Sequence, residues 1–117
     1  MLRDYRLYLQ DILECCENAR NYVGEMTFEE FSADRKTIDA VVRNLEIIGE
    51  AVKNVPSEIL QTKPKIEWKQ VARFRDLIIH QYFKIKLTIV WDIVQNRLEE
   101  LKQAVDEMLI EMQKPES

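Results

Sequence analysis

Residues 38–55 read IDAVVRNLEIIGEAVKNV, and this stretch decides the fold. Its apolar side chains recur at spacings of three and four residues, which places them on one helical face; they are Ile38, Val41, Leu45, Ile48, Val52 and Val55. The helix would be about 27 Å long at a rise of 1.5 Å per residue. Gly49 lies inside it at a cost of about 1 kcal/mol relative to alanine, and a close approach of another helix is one reason to accept that cost. Pro56 ends the helix because it restricts the backbone of Val55.

Three more long helices are predicted around this one. The first covers residues 2–23 and stops at Gly24, because glycine tolerates the left-handed conformation that follows many helices. The next long helix after residues 38–55 begins near Trp68 and ends at His80 or Tyr82. The last spans residues 87–112 and again has an apolar stripe at helical spacing.

Short helical turns complete the prediction. Thr27 and Glu30 form a capping-box pattern at the start of one turn, and residues 57–60 form another. Only two glycines and three prolines occur in 117 residues, which disfavours a β-rich fold with many turns. The sequence therefore predicts an all-α antiparallel helical bundle of four main helices plus short helical turns, in a single domain over residues 1–113 with a frayed tail at 114–117.

Composition excludes several classes of protein. Cys15 and Cys16 are adjacent, so their side chains point about 100° apart on a helix and form neither a disulfide framework nor a zinc-ligand pattern. No stretch approaches the ~18 apolar residues of a membrane span, and residues 1–6 lack an apolar targeting region. We therefore expect a cytoplasmic protein with no membrane contact, no metal and no cofactor. The long apolar stripes favour a homodimer.

The charge of the chain is unevenly distributed. The whole sequence carries a net charge of −4, whereas residues 63–86 contain seven basic and only two acidic residues. A basic segment of this kind binds phosphates locally, and the alternative is a solvated charged surface. The candidate phosphate contacts are Lys69, Arg73, Lys84 and Lys86.

The same segment contains the only histidine of the chain. His80 is the one side chain whose ordinary pKa suits proton transfer near neutral pH. Asp76 lies four residues earlier and is expected to orient the imidazole through a hydrogen bond. Arg75 lies about 140° around the helix from His80, so the two would converge at a helix end or across a two-fold axis. The alternative is a surface histidine that interacts with the helix dipole, beside ordinary ion pairs.

The string from Arg75 to Tyr82 resembles the Arg-x4-His-x-Tyr signature of HEPN-domain proteins, specifically the HepT-type minimal toxins. Other segments resemble the family pattern in the same order, so the resemblance covers nearly the whole chain. These segments are Asn44–Val52, Pro64–Trp68, Tyr82–Ile85 and Val90–Trp91.

The resemblance implies a two-fold dimer whose motif helices line a cleft. It implies metal-independent endoribonuclease activity, with Arg75 and His80 as the catalytic pair and tRNA or mRNA as substrate. It further implies a type VII-like toxin–antitoxin pair, in which a nucleotidyltransferase antitoxin (MNT type) transfers AMP to Tyr82.

Two residues depart from the family pattern. Asp76 stands where many HEPN nucleases have asparagine, and a carboxylate there repels substrate phosphate as well as orienting His80. Lys86 stands near the start of the last helix where aspartate is frequent, which weakens the helix cap and adds to the basic segment. The alternative function is therefore a noncatalytic helical binding module that partners a nucleotidyltransferase, and a third is a plain dimeric scaffold.

Overall fold

The computed structural model describes residues 3–113, and every regular element in that range is helical, which confirms the predicted all-α bundle. The helices are α1 (Tyr5–Val23), α2 (Phe28–Ser32), α3 (Arg35–Lys53), α4 (Ser57–Leu60), α5 (Trp68–Gln81), α6 (Leu87–Asp92) and α7 (Leu98–Gln113). A 3-10 turn, Tyr82–Lys84, follows α5, and a π-helical segment, Ile93–Arg97, joins α6 to α7.

Helix α3 is the central element of the bundle. It packs against α1 on one side and against α5 on the other, while α1 also packs against α7. The predicted stripe forms the buried face of α3, and Val41, Leu45, Ile48 and Val52 are all at most 5% exposed. The motif helix α5 is therefore positioned almost entirely by α3.

The helix boundaries follow the expected caps. Helix α1 begins at Tyr5, because the Asp4 carboxylate accepts a hydrogen bond from the Arg6 amide at 2.9 Å. The predicted start at Leu2 and the predicted frayed tail lie outside the described residues. Gly24 ends α1 with a φ of 53°, and the capping box at Thr27 is present, as the sequence predicts. Helix α3 ends at Lys53, slightly before the predicted end at Val55.

The last predicted helix contains a π segment that the sequence analysis missed. Val90, Val94 and Leu98 follow one another at two successive spacings of four residues, and all three are buried. In a regular α-helix Leu98 would lie about 80° around the axis from Val90. The wider π turn over Ile93–Arg97 returns Leu98 to the core face.

The two cysteines provide a test of the packed core. Both are buried, and burial raises the pKa of Cys15 to about 11 and that of Cys16 to about 12. Thiolates are the reactive form, so at pH 8 we expect the thiols to react with an aromatic disulfide reagent more slowly in the folded than in the unfolded protein, by about 100-fold for Cys15 and about 1000-fold for Cys16. Absorbance of the released thiolate, with and without guanidinium chloride, measures these ratios. Rapid reaction of two thiols without denaturant would contradict the packing of α1.

Candidate active site

Arg75 lies where α5 approaches α3 most closely. A Cβ atom added at Gly49 would lie 2.3 Å from the Cβ of Arg75 and 3.0 Å from the carbonyl oxygen of Val71. No residue larger than glycine fits this contact without moving a helix. The close helix approach considered from the sequence is therefore present, and it falls on the motif arginine.

The guanidinium of Arg75 is held by two carboxylates. Its Nε atom lies 2.9 Å from Glu50 Oε2 on α3, and its Nη1 donates a hydrogen bond to Asp76 Oδ1 at 3.1 Å. Nε is buried and makes no directed hydrogen bond within residues 3–113, so the contact with Glu50 is an ion pair. The side chain of Arg75 as a whole is still 27% exposed.

Asp76 is turned towards cations and not towards the histidine. Lys53 Nζ on α3 donates to Asp76 Oδ1 at 2.6 Å, and Arg75 donates to the same oxygen. These hydrogen bonds, that from Lys53 first, hold the pKa of Asp76 below its usual value. In the described part of the chain the side-chain hydrogen bonds of Asp76 come from Lys53 and Arg75 and not from His80. Two cations attract the carboxylate more strongly than an imidazole does.

His80 lies in the last turn of α5 and is exposed. The spacing of five residues from Arg75 places it about 140° around the helix. Arg75 therefore faces α3 while His80 faces solvent, and one copy of the chain does not bring the two side chains together on one side of α5.

The four predicted phosphate contacts are all exposed. Lys69 lies four residues before Arg73, and Arg73 lies seven residues before His80, so the three side chains share one face of α5. Lys84 and Lys86 follow α5, and Lys86 occupies the N-cap position of α6 without a side-chain cap. None of the four forms an ion pair with another residue in the range 3–113. Lys63 differs, because it pairs with Glu107 and Glu111 on α7.

Tyr82 is held by two residues that the sequence analysis did not single out. Its hydroxyl donates a short hydrogen bond to Asp39 Oδ1 and accepts one from Arg35 Nη2 at 3.4 Å. Arg35 Nε also lies 3.2 Å from Asp39 Oδ1. The hydrogen bond to Asp39 raises the pKa of Tyr82, burial acts in the same direction, and Arg35 opposes both. The i, i+4 spacing of Arg35 and Asp39 was the only sequence signal, and it does not point to Tyr82.

An apolar groove lies beside the first half of α5, before the Arg75–Tyr82 string. An open groove of about 390 Å³ separates α5 from the helical segment of α6 and α7. Its wall is mainly apolar and includes Leu45, Ile48, Val71, Phe74, Ile93 and Leu101. Large apolar side chains are also exposed nearby in sequence, with Ile79 at 43%, Phe83 at 95% and Ile89 at 45%. Exposed apolar side chains of this size are candidates for a partner contact where they form one continuous patch.

Two further features of the described chain bear on its chemistry. From residue 3 to residue 113, His, Cys, Asp and Glu side chains form no group of three or more that is placed to hold a metal ion. Over the same residues, each helix is either too short or too polar to cross a membrane.

The all-helical bundle agrees with a HepT-like protein of the HEPN superfamily. The sequence pattern of the family described as "Ribonuclease HepT-like" matches residues 12–108. The chain therefore belongs to the Ribonuclease HepT-like family, and ribonuclease is the activity that this membership gives it.

Similar proteins support this membership. The chain is 44% identical over 107 residues to "Putative RNase MJ0127" of Methanocaldococcus jannaschii, a match that covers 92% of this chain and 88% of the relative. It is 42% identical over 102 residues to "Probable ribonuclease HepT" of Thermococcus cleftensis, covering 87% of this chain and 93% of the relative. No solved structure matches the chain closely enough to be counted as a relative.

Proposed function

We propose that this protein is a metal-independent endoribonuclease in which Arg75 and His80 act on RNA at a cleft between two subunits. The observation that carries the proposal is the placement of Arg75. Its backbone is fixed against Gly49, its guanidinium is held by Glu50 and Asp76, and it is nevertheless partly exposed. A preorganised cation of this kind stabilises charge that develops in a transition state.

The chemistry needs no cofactor beyond the RNA itself. The 2′-hydroxyl of a ribose attacks the adjacent phosphorus, and the bond from phosphorus to the 5′-oxygen breaks. One imidazole removes the proton from the attacking hydroxyl, and another donates a proton to the leaving oxygen. The Arg75 guanidinium stabilises the negative charge on the phosphorane. Lys69, Arg73, Lys84 and Lys86 hold the neighbouring phosphates.

A homodimer supplies the groups that one chain lacks. Each chain has a single histidine, and it faces a different side of α5 from Arg75. A two-fold axis beside α5 brings Arg75 of one subunit near His80 of the other. The apolar groove beside α5 and the exposed Ile79, Phe83 and Ile89 provide surface for such a contact.

The proposed regulation is nucleotide transfer to Tyr82. In this scheme the protein is the toxin of a type VII-like toxin–antitoxin pair in the cytoplasm. A cognate nucleotidyltransferase antitoxin transfers AMP to the Tyr82 hydroxyl, which adds bulk and negative charge to the cleft and repels the RNA backbone.

The decisive experiment incubates the purified protein with total tRNA, and separately with mRNA, in excess EDTA. We expect fragments ending in 2′,3′-cyclic phosphate or 3′-phosphate, because the attacking nucleophile is the 2′-hydroxyl. Gel electrophoresis and end-group mass spectrometry identify these products. Intact RNA in EDTA, with cleavage restored by added Mg²⁺, would contradict the metal-independent mechanism.

A noncatalytic binding module is the second candidate, and one observation favours it. Glu50 and Asp76 both contact the Arg75 guanidinium, so they neutralise part of the positive charge that would attract a phosphate. For this alternative, RNA stays intact with and without metal, while the protein still binds the nucleotidyltransferase. Co-purification of the two proteins together with the cleavage assay distinguishes the candidates.

A further inference from the structure

The environment of the Tyr82 hydroxyl is more specific than a surface tyrosine requires. Asp39 Oδ1 accepts a hydrogen bond from the hydroxyl, and Arg35 places a guanidinium nitrogen 3.4 Å from the same hydroxyl oxygen. Both partners come from the first turns of α3, whereas Tyr82 follows the end of α5. The arrangement pairs a nucleophilic oxygen with a carboxylate acceptor and a cation.

We propose that Asp39 and Arg35 complete a nucleotide-acceptor site on this protein, with Asp39 as the proton acceptor for Tyr82 and Arg35 as the cation for the incoming phosphate. This inference rests on the proposed function, in which Tyr82 receives AMP. It adds that the acceptor protein contributes two of the groups that assist the transfer.

The transfer step balances with a nucleoside triphosphate as co-reactant. The Tyr82 oxygen forms a bond to the α-phosphorus, and the bond from that phosphorus to the bridging oxygen of the β-phosphate breaks. Pyrophosphate leaves with the electron pair of that bond. The proton of the hydroxyl passes to the Asp39 carboxylate, to which it is already hydrogen-bonded. Arg35 balances the charge on the phosphate.

The cluster is accessible and contributes little to folding. The side chains of Arg35 and Asp39 are 68% and 53% exposed, so a bound nucleotide can reach them. Exposed ion pairs contribute little to stability, and α3 carries a comparable pair, Arg43 with Glu46, that contacts no tyrosine. The Arg43–Glu46 pair therefore provides a matched control on the same helix.

Once Tyr82 carries AMP, the contacts of Arg35 and Asp39 with its oxygen change. A phosphodiester on the Tyr82 oxygen carries a negative charge next to Arg35, and Arg35 would then pair with the phosphate. The same charge repels Asp39. Modification thus replaces hydrogen bonds to a neutral hydroxyl with a contact between two opposite charges.

The test uses the purified protein and an adenosine that carries a reactive sulfonyl fluoride, 5′-(4-fluorosulfonylbenzoyl)adenosine. The Tyr82 oxygen forms a bond to sulfur, fluoride leaves, and the proton passes to Asp39. Peptide mass spectrometry follows labelling of Tyr82 over time, with Tyr82→Phe identifying the peptide. We expect Asp39→Asn to slow labelling about 10-fold or more, Arg35→Gln to slow it less, and Glu46→Gln to leave it unchanged.

The direction in which Asp39→Asn changes the labelling rate decides the outcome. A carboxylate that only retains the proton on tyrosine would suppress its reactivity, so Asp39→Asn would then label at the same rate or faster, and the inference would be overturned. Circular dichroism confirms that each variant remains folded.

A parallel reaction with ATP and the neighbouring nucleotidyltransferase separates this inference from the proposed function. We expect a mass increase of about 329 Da per AMP on wild-type protein and slower transfer to Asp39→Asn. Equal transfer to both would overturn the role of Asp39 alone. No transfer to wild-type protein would overturn the nucleotide-acceptor role of Tyr82 and with it the proposed regulation.

Discussion

Replacement of His80 by alanine is expected to reduce RNA cleavage by about 10²- to 10⁴-fold, the contribution typical of a general acid or base. Replacement of Arg75 by alanine is expected to cost about 10²- to 10³-fold, as for removal of a preorganised charge in other enzymes. Initial rates of cleavage of a labelled tRNA measure both effects. Arg43→Ala removes an exposed cation of α3 outside the proposed site and should retain the wild-type rate.

Mixing an inactive variant into the wild-type protein tests the contribution of both subunits. The proposed site uses the imidazoles of both chains, so a heterodimer of a wild-type chain with His80→Ala lacks one of them. Excess His80→Ala, after subunit exchange, should therefore lower the cleavage rate of the wild-type chains several-fold, whereas excess Arg43→Ala should not lower it. A rate that stays proportional to the number of wild-type chains would contradict a site shared between subunits.

Replacement of Gly49 by alanine is expected to destabilise the fold and to reduce activity together. The added methyl group meets the Cβ of Arg75 and a backbone carbonyl, neither of which is the flexible end of a side chain. Overpacking of this kind costs about 1–3 kcal/mol or more, against a gain of about 1 kcal/mol in helix propensity. We expect a Tm lower by roughly 5 °C or more. Displacement of Arg75 by about 1 Å should also reduce cleavage up to about 100-fold.

Gly24, the other glycine of the chain, provides the matched control. Gly24 has a φ of 53°, and a Cβ added there would make only an ordinary contact, 3.6 Å from the carbonyl oxygen of Asn21. Alanine there strains the backbone by about 1–2 kcal/mol, far in sequence from Arg75. Thermal melting should show a loss of stability for both variants, whereas only Gly49→Ala should lower the cleavage rate at a temperature where both are folded. Equal activity of the two would show that the contact at Gly49 does not position Arg75.

The sequence predicts local structure here better than it predicts side-chain partners. Helix periods and caps are local, so the stripe over residues 38–55, the stop at Gly24 and the capping box at Thr27 could all be predicted. The π turn after Asp92 could not, because two spacings of four are also compatible with a slightly rotated α-helix. The motif itself was visible because its residues are close together in the chain.

The sequence did not reveal the partners of Asp76 and Tyr82, because those partners lie far away along the chain. Asp76 was expected to contact His80 on its own helix, but Lys53 from α3 takes its carboxylate. Asp39 lies 43 residues from Tyr82, and nothing in the local pattern of either residue identifies the contact. Only the packing of α3 against α5 brings these pairs together.

Helix α3 thus positions both proposed reaction centres, Arg75 and Tyr82. The end of α3 holds the guanidinium through Glu50 and Gly49, and its beginning holds the tyrosine through Arg35 and Asp39. A rigid rod of this kind fixes the separation between the two positions. Any sequence change that slides or rotates α5 along α3, such as a one-residue insertion after Trp68, would misalign both at once. Such a change should therefore reduce both RNA cleavage and modification of Tyr82.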